Sequence, residues 1–214
     1  MNRNLEKMEE SLEEFFGSQK LLPILTVDDK EVSEDLASVM CESGLKTYEV
    51  TLRTPAALEV IAQMSSFDNC VVGAGTLISP SDVRSAMKAG AKFGISPGIT
   101  PELLNECEKN CFPLIPGVST ASEIMNAYSR GYKKLKFFPS ENLGGVKTLK
   151  ALQGPFPGCK FFPTGGINQN NALDYLSLPN VYAVAGSWVA PRELIRSRDW
   201  SQIRKIIQMS DWKI

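Results

Sequence analysis

Residues 47–75, TYEVTLRTPAALEVIAQMSSFDNCVVGAG, contain two predicted strands with a helix between them. The strands are TYEVTL (47–52) and CVVGAG (70–75), and the helix begins at Thr54-Pro55, a capping residue followed by a proline. Two neighbouring strands joined through a helix run parallel in one sheet, because a parallel pair needs a crossover connection. The stretch therefore predicts a βαβ unit.

The same alternation extends in both directions along the chain. Six further apolar segments, each followed by a helical segment, are predicted as strands: LLPILTV (21–27), FGISPG (93–98), PLIPG (113–117), KKLKFFP (133–139), KFFPTGG (160–166) and VYAVAG (181–186). Eight strand–helix units over 214 residues favour a closed (β/α)8 TIM barrel of parallel strands. A doubly wound open sheet is the alternative fold.

Length and composition indicate one domain over residues 1–214, with residues 1–19 forming an acidic, amphipathic helix that packs on the barrel. Hydrophobic residues make up 43% of the chain, enough for a sizeable core, and the formal net charge is -1. Neither a nucleic acid nor a membrane is expected as a partner, because there is no charge excess and no apolar run long enough to span a bilayer. The N-terminus lacks the features of a secretory signal.

The sequence contains no histidine. This removes the usual nitrogen ligands of zinc and excludes a Ser-His or Cys-His nucleophile pair. The five cysteines are scattered without a CxxC motif and are interpreted as packing residues of a reduced, cytoplasmic protein. Cys107 and Cys111 are spaced so that they are expected to share one helix face.

Polar side chains alternate with apolar ones along the strand at 47–52. Glu49, Thr51 and Arg53 share one face. In a barrel the apolar face packs on the helices and the polar face points inward, where an unpaired charge is costly. Glu49 and Arg53 are thus candidate site residues, with an exposed strand face or a structural ion pair as the alternative.

The strand at 133–139 places Lys134, Lys136 and Phe138 on one face. Lys136 lies between hydrophobic residues, so packing is expected to enclose it. Burial disfavours an ammonium group, as does a nearby cation such as Arg53 or Lys134, and the free amine can attack a ketone. A solvent-facing lysine is the alternative.

Small residues end several strands. The last two strands end in Gly-Gly-Ile (165–167) and Ala-Gly-Ser (185–187), each placed before a helix start. Backbone N–H groups and helix dipoles favour an anion there, and the loops after the last two strands commonly bind phosphate in (β/α)8 barrels. Ordinary turn glycines are the alternative. Thr76, which follows the strand at 70–75, is expected to meet a substrate carboxylate alongside Arg53.

Taken together, these strand ends resemble the 2-dehydro-3-deoxy-phosphogluconate (KDPG) aldolase family, which also acts on 4-hydroxy-2-oxoglutarate. The matching stretches follow the family's order and cover nearly all of the chain after the N-terminal helix: EVTLRT (49–54), VGAGT (72–76), ISPG (95–98), PLIPGVST (113–120), LKFFPSE (135–141), GGVK (144–147), LQGPF (152–156), PTGGI (163–167) and GSW (186–188). The resemblance implies a homotrimeric (β/α)8 class I aldolase that needs no metal or other cofactor and acts in the Entner–Doudoroff pathway.

The resemblance also implies a role for each matching residue. Lys136 would be the Schiff-base nucleophile and Glu49 the general acid/base. The remaining positions are carboxylate contacts at Arg53 and Thr76, a pocket lining at Pro97 and Phe138, hydroxyl recognition at Thr164, and phosphate contacts at Gly165, Gly166, Gly186 and Ser187. Ser140, Asn142 and Ala185 differ from the residues expected in the family, which could shift phosphate or sugar affinity.

The implied reaction splits 2-dehydro-3-deoxy-6-phosphogluconate into pyruvate and glyceraldehyde 3-phosphate. Within the same class, the alternative substrate is 4-hydroxy-2-oxoglutarate, which gives pyruvate and glyoxylate. A barrel isomerase or a non-catalytic binder of phosphate ligands is the alternative from another class. An isomerase that abstracts a proton needs a carboxylate but no buried lysine.

Overall fold

The computed structural model describes residues 3–210. Within that range the helices are α1 Arg3–Phe16, α2 Ser33–Glu42, α3 Ala57–Met64, α4 Pro80–Lys88, α5 Pro101–Lys109, α6 Ala121–Arg130, α7 Gly145–Leu152, α8 Ala172–Leu176, α9 Arg192–Arg196 and α10 Trp200–Met209. The strands are β1 Leu21–Leu25, β2 Thr47–Thr51, β3 Val71–Gly75, β4 Phe93–Ile95, β5 Leu114–Ile115, β6 Gly117–Val118, β7 Lys134–Phe137, β8 Lys160–Pro163 and β9 Val184–Gly186.

The strands form a curled, parallel α/β arrangement in two hydrogen-bonded sheets. One sheet has six strands in the order β5-β4-β3-β2-β1-β9, and the other has three in the order β6-β7-β8. Isolated parallel bridges join Phe161 to Val181 and Thr164 to Ala185, between β8 and the segment of β9. The order follows the chain without the reversal that defines a doubly wound sheet. The parallel α/β prediction is confirmed, whereas the strands within residues 3–210 do not form one continuous ladder of eight.

The fifth predicted strand, 113–117, is where the ladder breaks. Pro116 separates β5 from β6, and β5 pairs with β4 while β6 pairs with β7. A proline has no N–H to donate to a neighbouring strand. Its carbonyl still accepts a hydrogen bond from the Lys136 N–H at 2.9 Å. The chain therefore changes partners at the proline.

The hydrophobic core lies on both sides of the curled sheet. Outward-facing strand side chains pack against the helices, while a second cluster fills the inside at the N-terminal ends of the strands. There Phe16 of α1 packs against Phe162, with ring centroids 5.0 Å apart, and against Phe93 at 5.6 Å. Helix α1 therefore covers the end of the sheet where the strands begin.

A buried ion pair fixes α1 to β7. The Lys134 Nζ lies 3.0 Å from a carboxylate oxygen of Glu9 and 3.0 Å from one of Glu13, and the Lys134 side chain is 4% exposed. Burial by itself lowers the pKa of Lys134, but the two carboxylates outweigh it and raise the pKa. Lys134 is therefore engaged by α1 and does not join Lys136.

Replacing Lys134 with methionine is expected to lower the free energy of unfolding by about 3 kcal/mol, because the partly buried Glu9 carboxylate loses its partner. Urea denaturation at pH 7 measures the change. Lys133→Met is the matched control, since the neighbouring Lys133 side chain is exposed. Equal denaturation midpoints for the two variants would show that the ion pair does not fasten α1.

Cys107 is buried in α5, but that helix ends at Lys109 and the exposed Cys111 lies beyond it with a φ of 51°. The prediction that both cysteines share a helix face is wrong because the helix ends before the second. Among residues 3–210, no helix has both the length and the apolar character needed to cross a membrane.

Candidate active site

Glu49 and Lys136 lie inside the curled sheet, on β2 and β7. Their side chains are 1% and 5% exposed, respectively. Their strand neighbours Tyr48, Leu135 and Phe137 belong to the core that faces the helices. The two-residue period of the strands places the charged groups inward, as the alternation predicts. The solvent-facing alternatives for both side chains are wrong.

The carboxylate and the amine face each other at close range. Glu49 Oε1 lies 4.0 Å from Lys136 Nζ, which is too long for a direct hydrogen bond. No protein group in the described part of the chain hydrogen-bonds to either Glu49 carboxylate oxygen. The pair is thus held by packing, and both groups are available to a third group placed between them.

The environment of Glu49 favours its protonated form. Burial raises the pKa of this carboxyl above its usual value of 4.5, while the positive charges of Lys136 and Arg53 act in the opposite direction without cancelling it. A carboxyl whose pKa moves toward neutrality can both give and take a proton near physiological pH. Glu49 is therefore suited to general acid/base chemistry.

Small residues on the inner face of β3 make room for the carboxylate. A Cβ atom on Gly75 would lie 1.8 Å from Glu49 Oε1, and one on Gly73 would lie 2.3 Å from the Phe93 ring. No role was predicted for these glycines from the sequence. The signal was their period-two spacing within a strand, which puts both on the face that looks inward.

Arg53 and Thr76 come together at the mouth of the site. The Arg53 Nε donates a hydrogen bond to Thr76 Oγ1 at 3.2 Å, and Arg53 acts electrostatically on Glu49. Thr76 has a φ of 63°, a left-handed conformation that is strained for a threonine and that is often found at functional sites. The structure therefore brings Arg53 and Thr76 together near the buried Glu49, and their contact with a substrate carboxylate stays a prediction.

Phe138 lies beside the lysine, and Pro97 lies beside Gly117, the ladder partner of the lysine. The Phe138 ring centroid is 5.3 Å from Lys136 Nζ. Gly117 pairs with Lys136 across the ladder, and a Cβ atom on Gly117 would lie 2.3 Å from the Pro97 carbonyl carbon. The buried Ser96 hydroxyl supports this close approach by accepting the Gly117 N–H at 3.3 Å. Ser96 was missed by the sequence analysis, since a lone serine in a turn carries no distinguishing signal.

The two glycine turns at the ends of β8 and β9 are adjacent. The bridge between Thr164 and Ala185 sets residues 165–166 beside residues 186–187. Gly165 and Gly166 have φ values of 96° and 81°, which side-chain-bearing residues rarely adopt. Ser187 is exposed next to them, and Thr164 is buried. The two turns thus lie side by side at one end of the sheet.

Neither glycine turn leads directly into a helix. Helix α8 begins only at Ala172 and α9 only at Arg192, so the prediction that each turn precedes a helix start is wrong. Side chains of Asn168 and Asn171 instead donate to the Gly166 carbonyl at 3.2 and 3.1 Å and shape the connection. Any anion at these turns would be held by the turn backbone rather than by a helix dipole.

The segment after β7 supports the first glycine turn. The Glu141 N–H donates to the Gly165 carbonyl at 3.1 Å, and its side-chain carboxylate accepts a hydrogen bond from the Tyr175 hydroxyl. Tyr175 also lies 3.1 Å from Ser140 Oγ, and a Cβ atom on Gly166 would lie 2.5 Å from Glu141 Cγ. Sequence analysis missed this network because Tyr175 comes from a distant helix.

Acidic and sulfur side chains are not grouped for metal binding in the described structure. Across residues 3–210, no set of three or more His, Cys, Asp or Glu side chains is arranged to hold a metal ion. The expectation of a metal-free reaction stays a prediction.

The chain is similar to known proteins over most of its length. The model of the family described as "KDPG and KHG aldolase" matches residues 12–206, where KHG is 4-hydroxy-2-oxoglutarate. A 2-dehydro-3-deoxy-phosphogluconate aldolase of Pseudoalteromonas atlantica is 41% identical over 201 residues, 94% of each chain. A KHG/KDPG aldolase of Escherichia coli is 39% identical over 197 residues, 92% of each chain.

A solved structure is similar to this chain in both sequence and fold. The crystal structure of the KDPG aldolase of Legionella pneumophila has a TM-score of 0.88 and 42% sequence identity, covering 92% of this chain and 96% of that one. That protein was captured with pyruvate as a covalent carbinolamine intermediate. Similarity of this extent in sequence and structure covers every element that contributes to the site described above.

Proposed function

Because the chain belongs to the KDPG and KHG aldolase family, we propose that it is a class I aldolase that splits 2-dehydro-3-deoxy-6-phosphogluconate into pyruvate and glyceraldehyde 3-phosphate. The chain is an enzyme of the carbon–carbon lyase class. The observation that carries the specific proposal is the buried Lys136 amine, 4.0 Å from the buried Glu49 carboxylate. The mechanism of a proton-abstracting isomerase does not require that lysine. A non-catalytic binder requires neither the buried amine nor the buried carboxylate.

Lys136 is the proposed nucleophile. Its neutral amine attacks C2 of the keto acid to give a carbinolamine, and loss of water yields an iminium ion. The positive iminium nitrogen accepts the electron pair released when the C3–C4 bond breaks. Support for this role comes from the burial of Lys136 and from the Glu49 carboxylate that lies 4.0 Å from its Nζ. The protein supplies the electrophile itself, so no cofactor enters the proposal.

Glu49 is the proposed general acid/base. Its carboxylate removes the proton of the C4 hydroxyl as the C3–C4 bond breaks, and glyceraldehyde 3-phosphate leaves. The enamine that remains on Lys136 takes a proton at C3 from Glu49, and hydrolysis of the iminium then releases pyruvate and restores the amine. The raised pKa of the Glu49 carboxyl supports transfer in both directions.

Substrate binding is proposed to use the two ends of the site. Arg53 and Thr76 bind the carboxylate of the keto acid, supported by their mutual hydrogen bond at 3.2 Å. Pro97 and Phe138 line the pocket, and Thr164 contacts a sugar hydroxyl. The phosphate is proposed to lie on the adjacent turns formed by Gly165, Gly166, Gly186 and Ser187.

The substrate comparison that tests this proposal is kcat/KM on KDPG against kcat/KM on 4-hydroxy-2-oxoglutarate, which has no phosphate. We expect the phosphorylated substrate to be preferred, because the glycine turns can contact its phosphate. Equal kcat/KM values on the two substrates, or a higher value on 4-hydroxy-2-oxoglutarate, would make 4-hydroxy-2-oxoglutarate the proposed substrate in place of KDPG. Turnover of neither would overturn the aldolase proposal.

Replacing Tyr175 with phenylalanine is expected to raise KM for KDPG about tenfold, because the Glu141 carboxylate that supports the Gly166 turn loses a hydrogen-bond donor. Because kcat depends on Lys136 and Glu49, it is expected to stay near the wild-type value. Steady-state kinetics on both substrates measure this, and KM for the phosphate-free substrate is expected to stay unchanged. Tyr128→Phe, at an exposed tyrosine, is the control. An equal rise in KM for both substrates would contradict a phosphate-specific effect.

Replacing Gly75 with alanine is expected to lower kcat/KM about 100-fold, because the new Cβ displaces the Glu49 carboxylate from its position. Gly154→Ala is the control, since nothing lies within 4 Å of a Cβ built there. Thermal melts of both variants show whether the protein stays folded. Unchanged kinetics in a folded Gly75→Ala variant would mean that the Glu49 position is not critical.

The proposal extends to architecture and assembly. We propose that the two sheets form one closed (β/α)8 barrel, supported by the bridges between β8 and the β9 segment and by the β1–β9 ladder. A homotrimer in the cytoplasm is proposed from the family resemblance. Sedimentation equilibrium tests the trimer, and a monomer mass would refute it.

A further inference from the structure

Two cysteines far apart in the sequence meet at the edge of the fold away from the active site. Cys41 lies in the last turn of α2 and Cys70 directly precedes β3, and their Sγ atoms are 2.8 Å apart. Both are free thiols. We propose that Cys41 and Cys70 form an oxidative modification site, at which a low-molecular-weight disulfide converts the two thiols into an intramolecular disulfide.

The environment of the pair supplies a reactive sulfur. Hydrogen bonding by Cys41 lowers the pKa of Cys70 to about 7 against the opposing effect of burial. The same contact with Cys70 raises the pKa of Cys41. The thiolate is the form that attacks a disulfide. Cys41 is only half-buried, so the pair opens to solvent on its side.

The exchange proceeds in two balanced steps. The Cys70 thiolate attacks one sulfur of the oxidant RSSR, the S–S bond of the oxidant breaks, and RS⁻ leaves. Cys41 then gives up its proton and attacks Cys70 Sγ, and the second RS⁻ leaves as the protein disulfide forms. The two protein thiols are oxidised, the oxidant is reduced, and the two thiolates released take up the two protons lost.

The position of the bridge predicts its effect. It would close a loop over residues 42–69, which contains all of β2 and α3. Cross-linking a loop restricts the unfolded chain and so favours the folded state. Thr47 pairs with Val71 at the start of the β2–β3 ladder, whereas Thr51 pairs with Gly75 at its other end, beside Glu49. The bridge joins the last turn of α2 to the start of β3, at the end of the β2–β3 ladder away from Glu49, so the catalytic end is expected to keep its geometry.

The other cysteines provide controls within the same chain. Cys107 and Cys159 are buried, and Cys111 is exposed beyond the end of α5. For these three, within residues 3–210, the structure records no thiol–thiol contact of the kind that joins Cys41 to Cys70. An oxidant that reacted only by exposure would modify Cys111 first. The proposal instead selects the pair.

The test treats the full chain with oxidised glutathione, in the wild type and in the Cys111→Ser, Cys41→Ser and Cys70→Ser variants. We expect wild-type peptide maps to contain a Cys41–Cys70 cross-linked peptide, and the Cys111→Ser protein to lose the mass of two hydrogens. The other two variants are expected to form no such bridge. The oxidised Cys111→Ser protein is expected to melt roughly 5–10 °C above its reduced form.

Several outcomes would overturn the proposal. They are glutathione adducts on Cys41 or Cys70 without a cross-link, a cross-link between other cysteines, or no reaction at the pair. Because the wild-type peptide map identifies the bridge directly, the result does not depend on how well the serine variants fold. Aldolase activity is not a readout of the bridge, so this test is independent of the proposed function.

Discussion

Replacing Lys136 with alanine is expected to lower turnover of KDPG by about 10⁴-fold or more, because no other group in the site can form the imine. The reason is positional as well as chemical. Lys134, two residues away on the same strand face, is held by Glu9 and Glu13 at the opposite end of the sheet. A coupled assay of pyruvate release measures the change.

The matched control for this prediction is Lys133→Ala, at an exposed lysine of the preceding loop. It is expected to keep the wild-type rate. Lys136→Met adds a second control, because it preserves the volume of the buried side chain while removing the amine. Near-normal turnover by either Lys136 variant would remove this residue from the mechanism.

Replacing Glu49 with glutamine is expected to lower kcat/KM by roughly 10²–10⁴-fold while leaving imine formation with pyruvate partly intact. Glutamine keeps the size of the side chain but cannot transfer a proton. In the wild type, the acid side of the kcat/KM profile is expected to report a group with a pKa above 4.5, since burial raises the pKa of Glu49. The Glu49→Gln variant is expected to lose that limb of the profile.

Glu49→Gln is also expected to change the free energy of unfolding, and the direction of that change follows from the raised pKa of Glu49. A carboxyl whose folded-state pKa is raised lowers the stability of the folded protein as the pH rises from its ordinary pKa of 4.5 to the folded-state pKa, and the loss is complete above the latter. At pH 7, Glu49→Gln is therefore expected to be at least as stable as the wild type, and below pH 4.5 the difference is expected to vanish. Denaturant unfolding at both pH values measures this, with Glu59→Gln on the exposed face of α3 as the control. A less stable Gln variant at pH 7 would show that ionised Glu49 is favoured by the fold.

The inward direction of the charged residues could be predicted from the sequence. Glu49 on β2 and Lys136 on β7 each alternate with apolar neighbours, and a strand sends alternate side chains to opposite faces. The order of the strands could also be predicted, because each is followed by a helical segment and parallel strands need crossovers. Both features follow from the alternation of polar and apolar residues within strands and of strands with helical segments, and both alternations are clear in the sequence.

Other features depend on contacts between distant segments and could not be predicted. The change of partner at Pro116 follows from which neighbours each half of the strand meets. The Tyr175 hydroxyl reaches Glu141 only because α8 returns to the end of β7. The late start of α8 reflects hydrogen bonds of the Asn168 and Asn171 side chains in the preceding loop, which compete with helix formation.

Contacts between cysteines likewise depend on how distant segments pack and could not be predicted from spacing. Cys107 and Cys111 have helical spacing, yet they separate because α5 ends between them. Cys41 and Cys70 have no spacing that suggests a pair, yet their sulfurs meet because the C-terminus of α2 lies beside the start of β3. Sequence spacing predicts a contact only when both residues belong to the same helix or strand. In each of these two cysteine pairs, the residues do not share one helix or strand.

The most direct measurement of the central claim is mass spectrometry of the protein after incubation with pyruvate and borohydride, followed by peptide mapping. Borohydride reduces an imine to a stable amine, so the nucleophile stays labelled. The account predicts one pyruvate-derived adduct, located on Lys136, in the wild type and in Glu49→Gln, and none in Lys136→Ala. An adduct on another lysine, or no adduct on the wild type, would contradict the assignment of Lys136 as the Schiff-base residue.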